Sequence, residues 1–282
     1  MALLVLSHVQ AAPLLQARQE GRASVTASTD LELSTQEVRL DADGVVFGGG
    51  QRIAWRHVEE IAANRTVCFH VEGGEPKPIR YFSDVTQRLY SLMPTESAPT
   101  MLVSGIPMHR IKDTDPHRDT LSKIKAVAPV GGRVLDTATG LGYTTIEAAK
   151  TAAHVDAIEL DPAALAVARL NPWSQALFDD PKITQIIADS FEAIAQFEAG
   201  AFSCIIHDPP TFSLAGELYS AAFYAQAYRV LKRAGRMFHY IGDPDSKSGA
   251  RLTQGVIRRL QQAGFARVKG APLAFGVVAY KN

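Results

Sequence analysis

From about Ala23 to Phe82, polar and apolar residues alternate in short runs, among them Val25 to Leu33, Glu37 to Leu40 and Val67 to Val71. A period of two places one side of an extended segment in a core and the other in water, so these runs predict half-buried strands. Turn residues separate them: Asp41, Asp43 and Gly44, then Gly48 to Gly50, then Gly73 to Pro78, which predicts antiparallel neighbours. Helical pieces are expected at Trp55 to Ala63 and Val85 to Leu92, and Pro94 to Pro99, rich in Pro, Ser and Thr, reads as a linker. Beyond it the pattern changes. Apolar runs at Arg133 to Asp136, Val155 to Glu159, Ile183 to Ile187, Ser203 to His207 and Arg236 to Tyr240, with two more between Ala266 and Ala279, alternate with segments of helical spacing. That alternation predicts crossover connections and a parallel sheet. The chain thus reads as a small β-rich domain over residues 1–99 followed by an α/β domain over residues 100–282.

Composition narrows the function classes. Basic and acidic residues balance at 29 each, so no global field draws the protein to nucleic acid or an anionic membrane. Met1 to Thr100 holds nine basic and twelve acidic residues, which disfavours a strongly electrostatic RNA clamp there. Cys68 and Cys204 each sit inside an apolar strand-like run, the setting of a small free hydrophobe, and neither a disulfide framework nor a metal site is expected. The apolar start from Ala2 to Leu6 is too short for a secretory signal and lacks a basic flank, so a cytoplasmic location without a membrane partner is expected.

Four strand ends carry the candidate chemistry. The first runs from Asp136 through Thr137, Ala138, Thr139, Gly140, Leu141 and Gly142 into a helix beginning near Tyr143. Glycines in such a turn let backbone approach a ligand closely, although they also serve packing alone. Glu159 ends the next strand, 17 residues after Gly142, followed by Leu160, Asp161 and Pro162. An acid at that place and spacing is where nucleotide-binding α/β folds bond ribose hydroxyls, while Asp161 before Pro162 has the logic of a helix cap. At the third strand end Asp189 and Ser190 face the same crevice; Asp189 either meets an adenine or caps a helix. The fourth strand runs through His207 into Asp208-Pro209-Pro210-Thr211-Phe212. Two prolines fix the backbone, holding Asp208 and its neighbouring carbonyls where a planar amine would be bonded, with Phe212 over one face. The plainer reading is that the prolines only terminate a strand.

Together these residues resemble the class I S-adenosylmethionine-dependent methyltransferases, over roughly Asp115 to the C-terminus. The resemblance implies a Rossmann-like seven-stranded sheet with helices on both faces and the last strand antiparallel, and S-adenosyl-L-methionine as cofactor. It also implies that Asp136, Gly140 and Gly142 belong to the first cofactor motif, Glu159 to the ribose, Asp189 to the adenine side, and Asp208 to Thr211 to the catalytic tetrapeptide. Ala138 stands where many members carry a first glycine. More narrowly, Asp136 to Tyr143, Asn171-Pro172-Trp173-Ser174, and His207 through Ser220 look like a group of predicted, mainly archaeal methyltransferases. The Asp-Pro-Pro phrase is similar to those of enzymes methylating exocyclic amines of nucleobases, RNA bases included, or protein amides; Thr211 takes the place of their usual aromatic. Leu218-Tyr219-Ser220, Phe223-Tyr224 and the Leu231 to Gly235 turn also look like spermidine synthases, which implies aminopropyl transfer as the alternative.

Other candidates are weaker. Arg110 and Lys112, within Met108 to Lys112, are read either as anion-binding residues of a lid or as a solvated linker, with Asp115 and Pro116 starting a helix. His207, His239 and Tyr240 sit at strand ends, His207 favouring a core or rim role, and Trp173 is expected to pack its helix. The acceptor is left as RNA, protein or a small amine, and the N-terminal domain as a recogniser of RNA, a protein or a partner subunit in a homo-oligomer.

Overall fold

A computed structural model describes residues 3–243 and 246–282; Ala2 of the apolar start lies outside them. The chain divides into two compact units, one of Met1–His117 with Ala163–Gln175, the other of Arg118–Pro162 with Ala176–Asn282.

The first unit holds three small antiparallel sheets. One joins Ser24–Ala27, Gln36–Leu40, Gly44–Val46 and Arg52–Ala54. Its Asp41 turn is built as the sequence predicts, since the Asp41 carboxylate accepts the amides of Asp43 at 2.9 Å and Gly44 at 3.0 Å. Helix Trp55–Ala63 turns Trp55, Val58 and Ile61 inward, onto a core that includes Leu6, Leu14, Val38, Val45, Ile53 and Phe69. Two expectations fail. Val85 to Leu92 is not helical: Arg88–Met93 is a strand pairing Arg80–Ser83, because the β-rich Leu-Tyr-Ser-Leu run finds cross-strand partners on both sides. Pro94 to Pro99 therefore connects that strand to Thr100–Val103 in the same sheet. An unpredicted helix spans His8–Gln19, started by a capping box in which Ser7 and Gln10 satisfy each other's backbone.

The second unit is organised by β1 (Arg133–Asp136), β2 (His154–Glu159), β3 (Ile183–Ile187), β4 (Phe202–His207), β5 (Leu231–Tyr240), β6 (Arg267–Ala271) and β7 (Gly276–Tyr280). They form one seven-stranded sheet in the order β3-β2-β1-β4-β5-β7-β6, with β7 antiparallel to both its neighbours. The α/β reading and the last-strand reversal both hold. Alternation along each strand sorts the two faces. Leu135, Ile205 and Met237 enter one core with Ile194, Phe223, Val230 and Leu260; Val134, Cys204, Ile206 and Phe238 enter the other with Val127, Ala148 and Ala149. The first face is covered by α3 (Ser190–Gln196), α4 (Ala221–Val230) and α5 (Lys247–Gln262), the second by α1 (Pro116–Val127) and α2 (Tyr143–Ala149). Among the described residues, no helix is long and apolar enough to cross a membrane.

Candidate active site

In a sheet of this order, chain direction reverses its progress between β1 and β4, and the crevice beyond the C-terminal ends of those strands is where ligands bind. All four candidate stretches of the second unit arrive at that edge, and hydrogen bonds tie them together. The Gly140 amide donates to Glu159 Oε2 at 2.7 Å, joining the turn after β1 to the end of β2. Ser190 Oγ donates to the Thr137 carbonyl at 2.5 Å, which brings in the end of β3. The Thr137 amide donates to the Ile206 carbonyl at 3.1 Å, and its hydroxyl lies 2.7 Å from His207 Nδ1, which brings in β4.

Within the turn, Asp136 is fully buried and its carboxylate is occupied from inside the protein. Thr144 and Thr145 hydroxyls reach Oδ2 at 2.7 and 2.8 Å and the Ala138 amide reaches Oδ1 at 3.2 Å. It braces the loop against the start of α2. Burial raises its carboxyl above the ordinary range, opposed by those three donors. Thr139 donates to the Ile158 carbonyl at 2.9 Å, Tyr143 packs at 5% exposure, and Gly140 and Gly142 take left-handed φ of 53° and 77°. A side chain at either glycine would be strained.

Glu159 is partly exposed. Its two oxygens accept the Gly140 and Asp161 amides, at 2.7 and 3.0 Å, and each keeps a lone pair for another donor. Burial raises this carboxyl also, with the Asp161 and Gly140 amides opposing. Leu160 and Ile187, at the ends of neighbouring strands, expose 48% and 59% of their surfaces, unusual for large apolar residues at a sheet end. An acid with spare acceptor capacity, apolar surface beside it and a turn with two glycines make a set suited to an adenosyl group. Asp189 is exposed and caps α3, its carboxylate accepting the Phe191 amide at 2.8 Å, while Ser190 is 6% exposed.

Asp208 follows β4 and meets a partner that the sequence reading overlooked. Lys123 of α1, buried to 3%, places Nζ 2.6 Å from Asp208 Oδ2 and 2.8 Å from Asp119 Oδ2, one helical turn back. Burial works against the ammonium, yet the two carboxylates together raise it above the ordinary lysine range. Its charge also lies 4.8 Å from the Tyr240 ring centroid. Asp208 keeps 18% side-chain exposure, against 0% for Asp119, and its Oδ1 has no hydrogen-bond partner among the described residues. The available signal was the four-residue spacing of Asp119 and Lys123, which places opposite charges on one helical stripe.

Around the motif, Pro209 is buried, Pro210 half-buried, and Thr211 and Phe212 exposed. The Tyr219 hydroxyl donates to the Pro210 carbonyl at 3.0 Å, and the Phe212 ring stands edge-on to Tyr219 at 5.5 Å, so the loop is braced from behind. His207 is wholly buried. The Leu218 carbonyl, 2.9 Å from Nε2, can only accept, so Nε2 carries the proton and Nδ1 accepts from Thr137. Burial pulls this imidazole down to about 3, and burial together with the neighbouring His207 holds His239 well below the ordinary histidine range. Arg110, Lys112 and Trp173 belong to the first unit, where Trp173 Nε1 donates to the Leu31 carbonyl at 2.8 Å. Among the described residues, no cluster of three or more His, Cys, Asp or Glu could hold a metal ion.

Comparison with known proteins follows the same lines. Residues 134–235 match the family model of a methyltransferase domain. "Uncharacterized protein MJ1233" of Methanocaldococcus jannaschii is 48% identical over 194 residues, covering 68% of this chain and 67% of that protein. A polyamine aminopropyltransferase of Mycobacterium tuberculosis is 32% identical over 115 residues, 39% of this chain but only 22% of that one. A spermidine synthase from Thermotoga maritima superposes with a TM-score of 0.57 at 20% identity, over 72% of this chain and 71% of that one, a likeness of fold alone. Residues 134–235, with their glycine turn and the acid at the end of β2, are thus a methyltransferase domain of the kind whose cofactor is S-adenosylmethionine, and the chain belongs to the same family as the archaeal relative.

Proposed function

We propose that the protein methylates a nitrogen acceptor, with Asp208 holding the acceptor amine and Glu159 the cofactor ribose. The observation that carries this reading is the state of Asp208: fixed by two prolines and by Lys123 at the crevice edge, with one oxygen left without a hydrogen-bond partner among the described residues. Bound S-adenosylmethionine supplies a methyl group already activated by its positive sulfur. The chain's task is then alignment. Glu159 accepts ribose hydroxyls, Leu160 and Ile187 flank the base, and Asp208 Oδ1 accepts an N–H of the acceptor, turning the nitrogen lone pair toward the methyl. Asp208 Oδ1, hydrogen-bonded to that nitrogen as it gains the methyl group, would take its surplus N–H proton and pass it to water. Thr211 and Phe212, exposed beside Asp208, shape the acceptor's place.

Aminopropyl transfer is the second reading, favoured by the match to the mycobacterial enzyme. A polyamine is a multiple cation and its pocket wants several free carboxylates. Here Asp208 already faces an ammonium, which weighs for methyl transfer.

Titration calorimetry tests the cofactor step: Glu159→Ala should weaken S-adenosylmethionine binding about 10- to 100-fold, the worth of a charged hydrogen bond. Affinity equal to that of the parent would remove Glu159 from the site. Release of S-adenosylhomocysteine in cell extract, set against polyamine lengthening from decarboxylated cofactor and putrescine, separates the two transfers. Asp208→Ala should retain cofactor affinity and lose turnover.

A further inference from the structure

We infer that Lys123, held by Asp119, is a positioning residue that occupies Asp208 Oδ2 and so fixes Oδ1 as the oxygen offered to an N–H of the methyl acceptor. The inference rests on the methyltransferase reading and deepens it.

The geometry is a buried chain of three charges. Asp119 and Lys123 share a stripe of α1, and Lys123 Nζ bridges from Asp119 Oδ2 at 2.8 Å to Asp208 Oδ2 at 2.6 Å. An ammonium with 3% exposure has little freedom to rotate away, so it dictates which Asp208 oxygen is occupied and which is offered. Around Asp208 stand Lys123 and Asp119 from α1, Asp136 from β1, and Tyr219, while the Tyr240 ring lies against Lys123; His207, its chain neighbour, is neutral. Lys123 is the one cation near Asp208 in that set.

Burial raises the Asp208 carboxyl, and Lys123 opposes it by favouring the charged form. Held against that ammonium, Asp208 presents Oδ1 as the acceptor for an N–H of the substrate, so Lys123 acts on the acceptor's orientation through Asp208.

The test needs neither cofactor nor acceptor. In the full-length protein labelled at aspartate Cγ, the Asp208 resonance is assigned by its loss in Asp208→Asn and followed with pH. Lys123→Met should move its midpoint to higher pH; Asp119→Asn, which leaves the whole ammonium to Asp208, should move it to lower pH. A merely structural lysine predicts no such opposition, so an unmoved midpoint in Lys123→Met, or the same direction in both variants, overturns the inference. If Lys123→Met does not fold, Asp119→Asn decides: a midpoint unchanged or raised overturns it. Calorimetry with S-adenosylmethionine reports separately on the methyltransferase reading.

Discussion

At the scale of the residue, the best-hidden chemistry is that of two neutral imidazoles. His207 and His239 are fully buried on adjacent strands, ring centroids 4.5 Å apart, and neither tolerates a proton. In the unfolded chain both bind one below the ordinary histidine value of about 6.5. The unfolded state therefore holds more protons than the native one as pH falls below that value, so the stability they confer is complete above it and is lost on acidification down to about 3 for His207. His207→Gln should destabilise the protein at pH 7.5, and the gap to the parent should narrow toward pH 5 by roughly 1.4 kcal/mol per pH unit. Urea unfolding at the two pH values measures it; a gap independent of pH would show that His207 takes a proton without cost. The sequence placed both histidines at strand ends and favoured a core or rim role for His207, but gave no sign that His239 is buried against it. Hydrogen bonding of His207 to Leu218, eleven residues away, is invisible in a linear pattern.

At the scale of the element, the strands of the second unit were legible because hydrophobic runs bounded by turn residues leave little freedom: Arg133–Asp136 and Ile183–Ile187 stand as expected. Helix α1 was not legible as part of the site. It exposes Leu121, at 42%, while Asp119, Thr120 and Lys123 are buried along with Val127, so its inward stripe mixes charged and apolar residues and a hydrophobic pattern does not single out the charged ones. Likewise His8–Gln19, with Pro13 inside it and Gln10 buried, shows little helical stripe. In the glycine turn, the strand-to-helix joint depends on left-handed φ at Gly142. A Cβ there would approach Leu177 Cδ2 at 2.7 Å, but that end of a flexible side chain can move, so backbone strain dominates. Gly142→Ala should cost about 1–2 kcal/mol in urea unfolding. No loss at all would mean that the turn adapts.

At the scale of the whole molecule, the family and the layered sheet were readable from residues, whereas the composition of the units was not. The first unit takes in Ala163–Gln175, a stretch with ordinary helical spacing and no composition break to mark it. Within that unit Trp173 bonds the Leu31 carbonyl and tilts against His117 at 5.4 Å. A fragment of residues 118–282 removes both partners and leaves Trp173 as its one tryptophan. Its fluorescence should shift to longer wavelength relative to full-length Trp55→Phe; an unshifted spectrum would mean that Trp173 keeps its surroundings without the first unit. The same interleaving bears on how the chain is made. A ribosome synthesises β1 and β2 before the last thirteen residues that the first unit needs, so that unit is still unfinished when the second has been begun.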